Sequence, residues 1–231
     1  MYQGYWLLIK KYPSTSSSNL LASLLIAGLL IVSGVTYPQE NLLVSVQKIN
    51  KEKQKYTGGI KQRFNAWQNL LSTYRNKPLQ EKLKATNDFF NQFKFQYEYN
   101  YQGVEDYWQT PEEFLVAGAG DCEDFSIAKY FTLLALGVPM STLRITYVKS
   151  IQLNRAHMVL AYYPRPEAEP LILDNLISDI LPASKRPDLI PVYGFNGAGL
   201  WLAKQRGRDK LLGDPGRLSK WRSVIQRMQG R

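Results

Sequence analysis

The apolar residues of this chain change their spacing at "LGVP", residues 136–139. Before that point they recur at helical intervals. In "FNAWQNLLSTY", Phe64, Trp67, Leu70, Leu71 and Tyr74 fall on one helical face. "PLQEKLKATNDFFNQF" is a further amphipathic segment, so residues 40–96 read as helical, with "TGG" at 57–59 as a break. The Tyr- and Asn-rich residues 97–107 read as a loop. After Pro139 the apolar positions alternate. "LRITYVK" (143–149), "AHMVLAYY" (156–163) and "LILD" (171–174) read as strands, and "LIPVYGFN" (189–196) and "GLWLA" (199–203) add one or two more. Helices followed by a mainly antiparallel sheet make an α+β layout.

The chain has 231 residues, enough for one domain with a sizeable core. A hydrophobic fraction of 45% with 13% aromatics excludes a disordered chain. The net charge of +10 is unevenly placed. Residues 204–231 hold nine Lys/Arg against Asp209 and Asp214, which sets them apart as a basic C-terminal helix or tail. Lys10 and Lys11 add two more charges and the remainder is nearly neutral, so no nucleic-acid partner is expected. One cysteine and one histidine exclude an internal disulfide and a four-ligand Cys/His zinc site.

Behind Lys10 and Lys11 runs "LLASLLIAGLLIVSGV", residues 20–35, without a charge. It is shorter than the roughly 20 apolar residues of a spanning helix. Residues 1–39 therefore read as a signal peptide or, if extended by their neighbours and retained, an N-terminal membrane anchor. Either places residues 40–203, the expected main domain, in the periplasm.

The chemistry concentrates in "GAGDCEDFSIAKY", residues 118–130. Just upstream, "TPEEFL" carries the marks of a helix start: Thr110 as cap, Pro111 at the first position, Glu113 at capping-box spacing. Asp121 is a good N-cap for the next helix, and Gly137 with Pro139 ends it. Cys122 then stands in the first turn, where free N–H groups and the helix dipole favour a thiolate. His157 opens the strand "AHMVLAYY" and Asp174 ends "LILD". If those strands pair as a hairpin, the two side chains lie near one end of it. An Asp there fixes the imidazole, and the imidazole activates the thiol.

Three segments together, "TPEEFLVAGAGDCEDFSIAKYFTLLALGVP", "AHMVLAYY" and "LILDNL", resemble the bacterial transglutaminase-like cysteine proteinases. The likeness covers about residues 60–203, with Cys, His and Asp spaced 35 and then 17 residues apart. It implies a papain-like, transglutaminase-like core in which the nucleophile helix packs on an antiparallel sheet. It implies Cys122 as nucleophile, His157 as general base and acid, and Asp174 as its orienting partner. The backbone N–H of Cys122, with Trp108 or Gln109 as a second donor, would meet the oxyanion.

Asp121, Glu123 and Asp124 surround the thiol, and like charge opposes a thiolate. Capping explains Asp121; a bound Ca²⁺ would explain all three by offsetting the negative field. The resemblance implies calcium dependence, with Asp121 and Glu123 among the ligands and Asp124 a further candidate. No EF-hand loop is present, so other ligands would come from elsewhere, such as the loop near 97–107. The resemblance also implies a large RTX-type surface adhesin as substrate, cut near its N-terminus to release biofilm. It implies as partner a LapD-like inner-membrane receptor that sequesters the protease when cyclic-di-GMP is high, with Trp108 a candidate anchor for that contact. A protein-glutamine transglutaminase or deamidase would use the same three residues. A non-catalytic binding module of the same fold would be expected to lack the Cys or His, and both are present.

Overall fold

The computed structural model describes residues 55–97, 107–203 and 209–230. The leader at 1–39 and nearly all of the loop at 97–107 lie outside the described residues. Among the described residues no helix is long and apolar enough to cross a membrane.

Helix α1 (Gly58–Tyr74) starts at Thr57, so the glycines of "TGG" open this helix. It buries Phe64, Trp67, Leu70 and Leu71, the face set by their spacing. Helix α2 (Leu79–Asn91) follows, then a two-residue strand β1 (Lys94–Phe95). Helix α3 (Pro111–Ala117) has the capping box read from sequence: the Glu113 N–H donates to Thr110 Oγ1, and the Thr110 N–H donates to Glu113 Oε2 at 2.8 Å. Strand β2 (Ala119–Gly120) pairs in parallel with β1, and helix α4 (Cys122–Ala135) leaves directly from it.

Helix α4 is buried on nearly every side, Asp124 through Ala135 without interruption. A helix so enclosed needs packing all round. On one side the Trp67 indole of α1 donates to Thr132 Oγ1 at 2.9 Å, and Phe90, Phe114 and Phe125 meet edge to face. At its C-terminus the α2 residue Lys82 donates to the Leu136 carbonyl. There Gly137, at φ +82°, lets Val138 N–H reach back to Leu133 O and close the helix.

On its other side lies a seven-stranded sheet in the order β6-β5-β4-β3-β7-β8-β9, antiparallel throughout. The strands are β3 (Leu143–Ser150), β4 (Arg155–Tyr162), β5 (Leu171–Leu173), β6 (Leu181–Pro182), β7 (Leu189–Phe195), β8 (Leu200–Leu202) and β9 (Lys210–Gly213). Alternation sorts β3 and β4: Leu143, Ile145, Met158 and Leu160 face α4, and Val148, Val159 and Ala161 form a smaller apolar cluster on the far face with Ile172.

The boundary expected at residue 203 does not separate a tail from a domain. Beyond it, β9 pairs with β8 as the sheet's edge, and helix α5 (Ser219–Met228) packs into the core. Trp221 is buried, stacked on Phe131 of α4 with ring centroids 5.6 Å apart and set edge-on to Phe195 of β7. The apolar side of α5 is part of the main core, and its Arg227 turns inward to pair with Glu113.

Candidate active site

The turn "GAGDC" is held from three directions before it delivers the cysteine. Arg63 of α1 donates from Nε to Leu115 O at 2.6 Å and from Nη2 to Val116 O at 2.7 Å, which satisfies the last carbonyls of α3. Gly118 then turns at φ +72°. Gly120 lies so close to its neighbours that a Cβ there would sit 2.7 Å from the Asp124 side chain and 2.9 Å from Phe114. From below, the Gln96 N–H donates to the Gly120 carbonyl at 2.8 Å.

Cys122 is the first residue of α4 and is partly exposed. Its thiol donates to Glu123 Oε2 at 2.8 Å. Burial pushes the thiol well above its ordinary range, and the Glu123 and Asp121 carboxylates add to this. The Met158 backbone N–H, in the peptide that follows His157, works in the opposite direction by hydrogen bonding to the sulfur. The sulfur therefore stands against the start of β4.

His157 and Asp174 meet as the hairpin reading anticipated. Leu160 pairs with Leu173, which brings Asp174, just past the end of β5, alongside the first half of β4. His157 Nε2 lies 2.8 Å from Asp174 Oδ1, and both side chains are buried. A carboxylate only accepts, so Nε2 carries the proton and Nδ1 is left as the acceptor. Burial alone would raise the Asp174 carboxyl. His157, the Leu176 N–H and Arg186 overcome it and hold the carboxyl down to about 2.

The three acids do not form one cluster. Asp124 is turned inward: Oδ1 accepts the Gln109 N–H at 2.7 Å, and Oδ2 accepts Gln109 Nε2 at 2.7 Å and the Asp121 N–H at 3.2 Å. Its oxygens brace the helix start, which leaves it poorly placed as a metal ligand. Those bonds take the Gln109 backbone N–H and one side-chain N–H, and the other side-chain N–H donates to the Ala119 carbonyl at 3.3 Å, so Gln109 is not poised to receive an oxyanion. Among the described residues no three His, Cys, Asp or Glu side chains converge as a metal cage. Asp121 and Glu123 remain as hard oxygen donors at the helix start. Glu123 is held by a thiol proton, a weak donor that a hard cation would readily replace. Trp108, a candidate anchor for the receptor contact, is 6% exposed and stacks on Phe195 at 5.7 Å, as a core tryptophan does.

Sequence reasoning missed two groups. Arg186 donates from Nη2 to Asp174 Oδ2 at 2.8 Å and grips Asp188 through Nε at 3.0 Å and Nη2 at 2.8 Å. Lys129, on α4, is fully buried with Nζ 2.7 Å from Asn87 Oδ1. "KRPD" at 185–188 follows no apolar period, and Lys129 sits in a motif dominated by its cysteine, so neither carried a signal. A cavity of about 510 Å³ lies on the far face of the sheet, lined by Val159, Ala161, Ile172 and Arg186 among others. It is not the thiol's cleft.

A thiol at the start of a buried helix, set against a strand whose histidine is bound to a carboxylate, defines a cysteine hydrolase of transglutaminase-like architecture. The profile of the bacterial transglutaminase-like cysteine proteinases (BTLCP) matches residues 63–188. LapG of Legionella pneumophila is similar at 53% identity, over 79% of this chain and 97% of that one, with a TM-score of 0.72. Its calcium-bound form matches at 53% identity, over 79% and 98%, TM-score 0.71. Its EGTA-treated form matches at 54%, over 79% and 97%, TM-score 0.73. Comparison with curated protein sequences finds no significant match. The chain belongs to the bacterial transglutaminase-like cysteine proteinases.

Proposed function

We propose that this protein is a calcium-dependent cysteine endopeptidase that cuts the N-terminal region of a large surface adhesin, with Cys122, His157 and Asp174 as its triad. The observation that carries the triad is the 2.8 Å contact of His157 Nε2 with Asp174 Oδ1, which leaves Nδ1 as the base on the side chain preceding the Met158 peptide. Asp174, with a carboxyl held at about 2, stays ionised and balances the imidazolium.

His157 Nδ1 takes the thiol proton, and the thiolate attacks the substrate carbonyl carbon. The carbonyl electrons move to oxygen, where the Cys122 N–H, unpartnered within a helix at this position, donates to the oxyanion. The oxyanion collapses, the C–N bond breaks, and His157 returns its proton to the leaving amine. Water, deprotonated by His157, then hydrolyses the thioester and restores the thiol.

Calcium is supported by the calcium-bound and EGTA-treated forms of the Legionella relative and by the donor set here. Asp121 and Glu123 are the residues of this chain that would hold it. When bound, the ion supplies positive charge at the helix start, against the local carboxylates. Glu123, once off the thiol, leaves the sulfur to His157.

The family resemblance supports the remainder of the proposal. The protein works in the periplasm, exported or tethered by residues 1–39. It releases adhesin from the cell surface and so disperses biofilm, and a LapD-like cyclic-di-GMP receptor in the inner membrane sequesters it.

The test is incubation of the full chain with the N-terminal region of such an adhesin. A single cut is expected with calcium, none with EGTA, recovery with added calcium but not magnesium, and none with Cys122→Ala. Cutting by the Cys122→Ala protein would overturn the proposal. Incorporation of a labelled amine into glutamine, with no peptide bond cut, would assign the same residues to transglutamination.

A further inference from the structure

We infer that Arg186 is a positioning residue for the reaction, fixing the Asp174 carboxylate so that His157 keeps one tautomer; this rests on the triad proposed above. The two oxygens of Asp174 are divided. Oδ1 receives His157 Nε2 at 2.8 Å and the Leu176 N–H at 3.1 Å, and Oδ2 receives Arg186 Nη2 at 2.8 Å. The Asp174 backbone carbonyl accepts Asn91 Nδ2 of α2 at 2.8 Å. With both carboxylate oxygens engaged from different sides, the group cannot rotate about its last bond. Without Arg186 the carboxylate would be held at Oδ1 alone and could swing, letting the ring flip.

Arg186 is itself held still. Its side chain is 2% exposed, and Asp188 takes it through two nitrogens, the fork geometry that suits a guanidinium and a carboxylate. The charged groups facing Asp174 are thus His157 from β4 and Arg186 from the segment before β7, with Asp188 behind it and Lys129 acting from α4. Leaving Lys129 aside, the pair of carboxylates exceeds the one guanidinium by a single charge. The imidazolium formed during the reaction makes up that difference. A lysine at 186 would supply the charge but not the two-sided fork.

The chain holds one histidine, so its ring nitrogens give one unambiguous set of NMR signals. In the calcium-supplied full chain, the neutral ring of the wild type is expected to carry its proton on Nε2. Arg186→Met is expected to give a mixture of tautomers and a kcat about 10- to 100-fold lower on the adhesin fragment, with KM little changed. Arg186→Lys is expected to recover part of both. Because Arg186→Met leaves two carboxylates without their cation and could fail to fold, Asp188→Asn provides an independent arm. It loosens the guanidinium without touching Asp174, and a smaller change in the same direction is expected. Folded Arg186→Met, or Asp188→Asn if Arg186→Met does not fold, with wild-type ring signals and wild-type kcat would overturn the inference. A wild-type chain that fails to cut the fragment would sink the protease reading, while the ring signals of the variants would still decide the role of Arg186.

Discussion

Gly120 shows how tightly single residues are specified around the sulfur. A methyl group there would meet Asp124 and Phe114 at distances no side chain tolerates. Gly120→Ala is therefore expected to cost about 1–3 kcal/mol, measured by denaturant unfolding, and to displace the helix start that presents Cys122. The motif "GAGDCED" is conspicuous in sequence, and the helix start at Cys122 and the meeting of His157 with Asp174 were legible from helix capping and strand pairing. The division of labour among the acids was not. Three carboxylates in four positions look alike as letters. Only the fold shows that Asp124 faces inward onto Gln109 while Glu123 lies on the thiol. Arg186 was invisible because its role depends on a contact with residue 174 that no local pattern encodes.

At the scale of elements, the switch from helical to alternating spacing located α1, α2, α4 and every long strand to within a few residues. Local periodicity suffices where an element has one buried face or two. At the C-terminus, where a basic helix or tail was expected, a helix is present, with Trp221, Val224, Ile225 and Met228 at helical intervals in "SKWRSVIQRM", but the charge of residues 204–231 gave no sign that it docks. Docking onto α4 is a tertiary fact, carried by Trp221 between Phe131, Tyr130 and Phe195. Trp221→Ala is expected to destabilise the whole fold by about 3–5 kcal/mol in a single unfolding transition. A tail independent of the domain would leave the transition where it was. Arg227 of the same helix bonds Tyr107 Oη at 2.6 Å and pairs with Glu113, so α5 also secures the segment leading to the nucleophile.

At the scale of the whole molecule, the site sits where a buried helix meets the sheet, and the ionisable groups behind it leave a mark on stability. Burial pushes the Lys129 ammonium down to about 7, against the opposing pull of Asp174 and Asp88. Between that value and the ordinary lysine range, the unfolded chain binds a proton that the folded chain lacks. Stability from this group therefore rises with pH across that window and is lost as pH falls through it. Lys129→Met is expected to lower the slope of unfolding free energy between pH 7 and 8 by about 1 kcal/mol per unit, read from urea titrations. An unchanged slope would mean that Lys129 is charged inside the protein.

The central claim is that one sulfur and one imidazole work as a pair, and the chain's single cysteine allows it to be tested without any substrate. The measurement is the rate at which iodoacetamide alkylates Cys122, with calcium present, in the wild type and in His157→Gln. A base at residue 157 predicts alkylation at least about tenfold slower in the variant. Equal rates in two folded proteins would contradict the account.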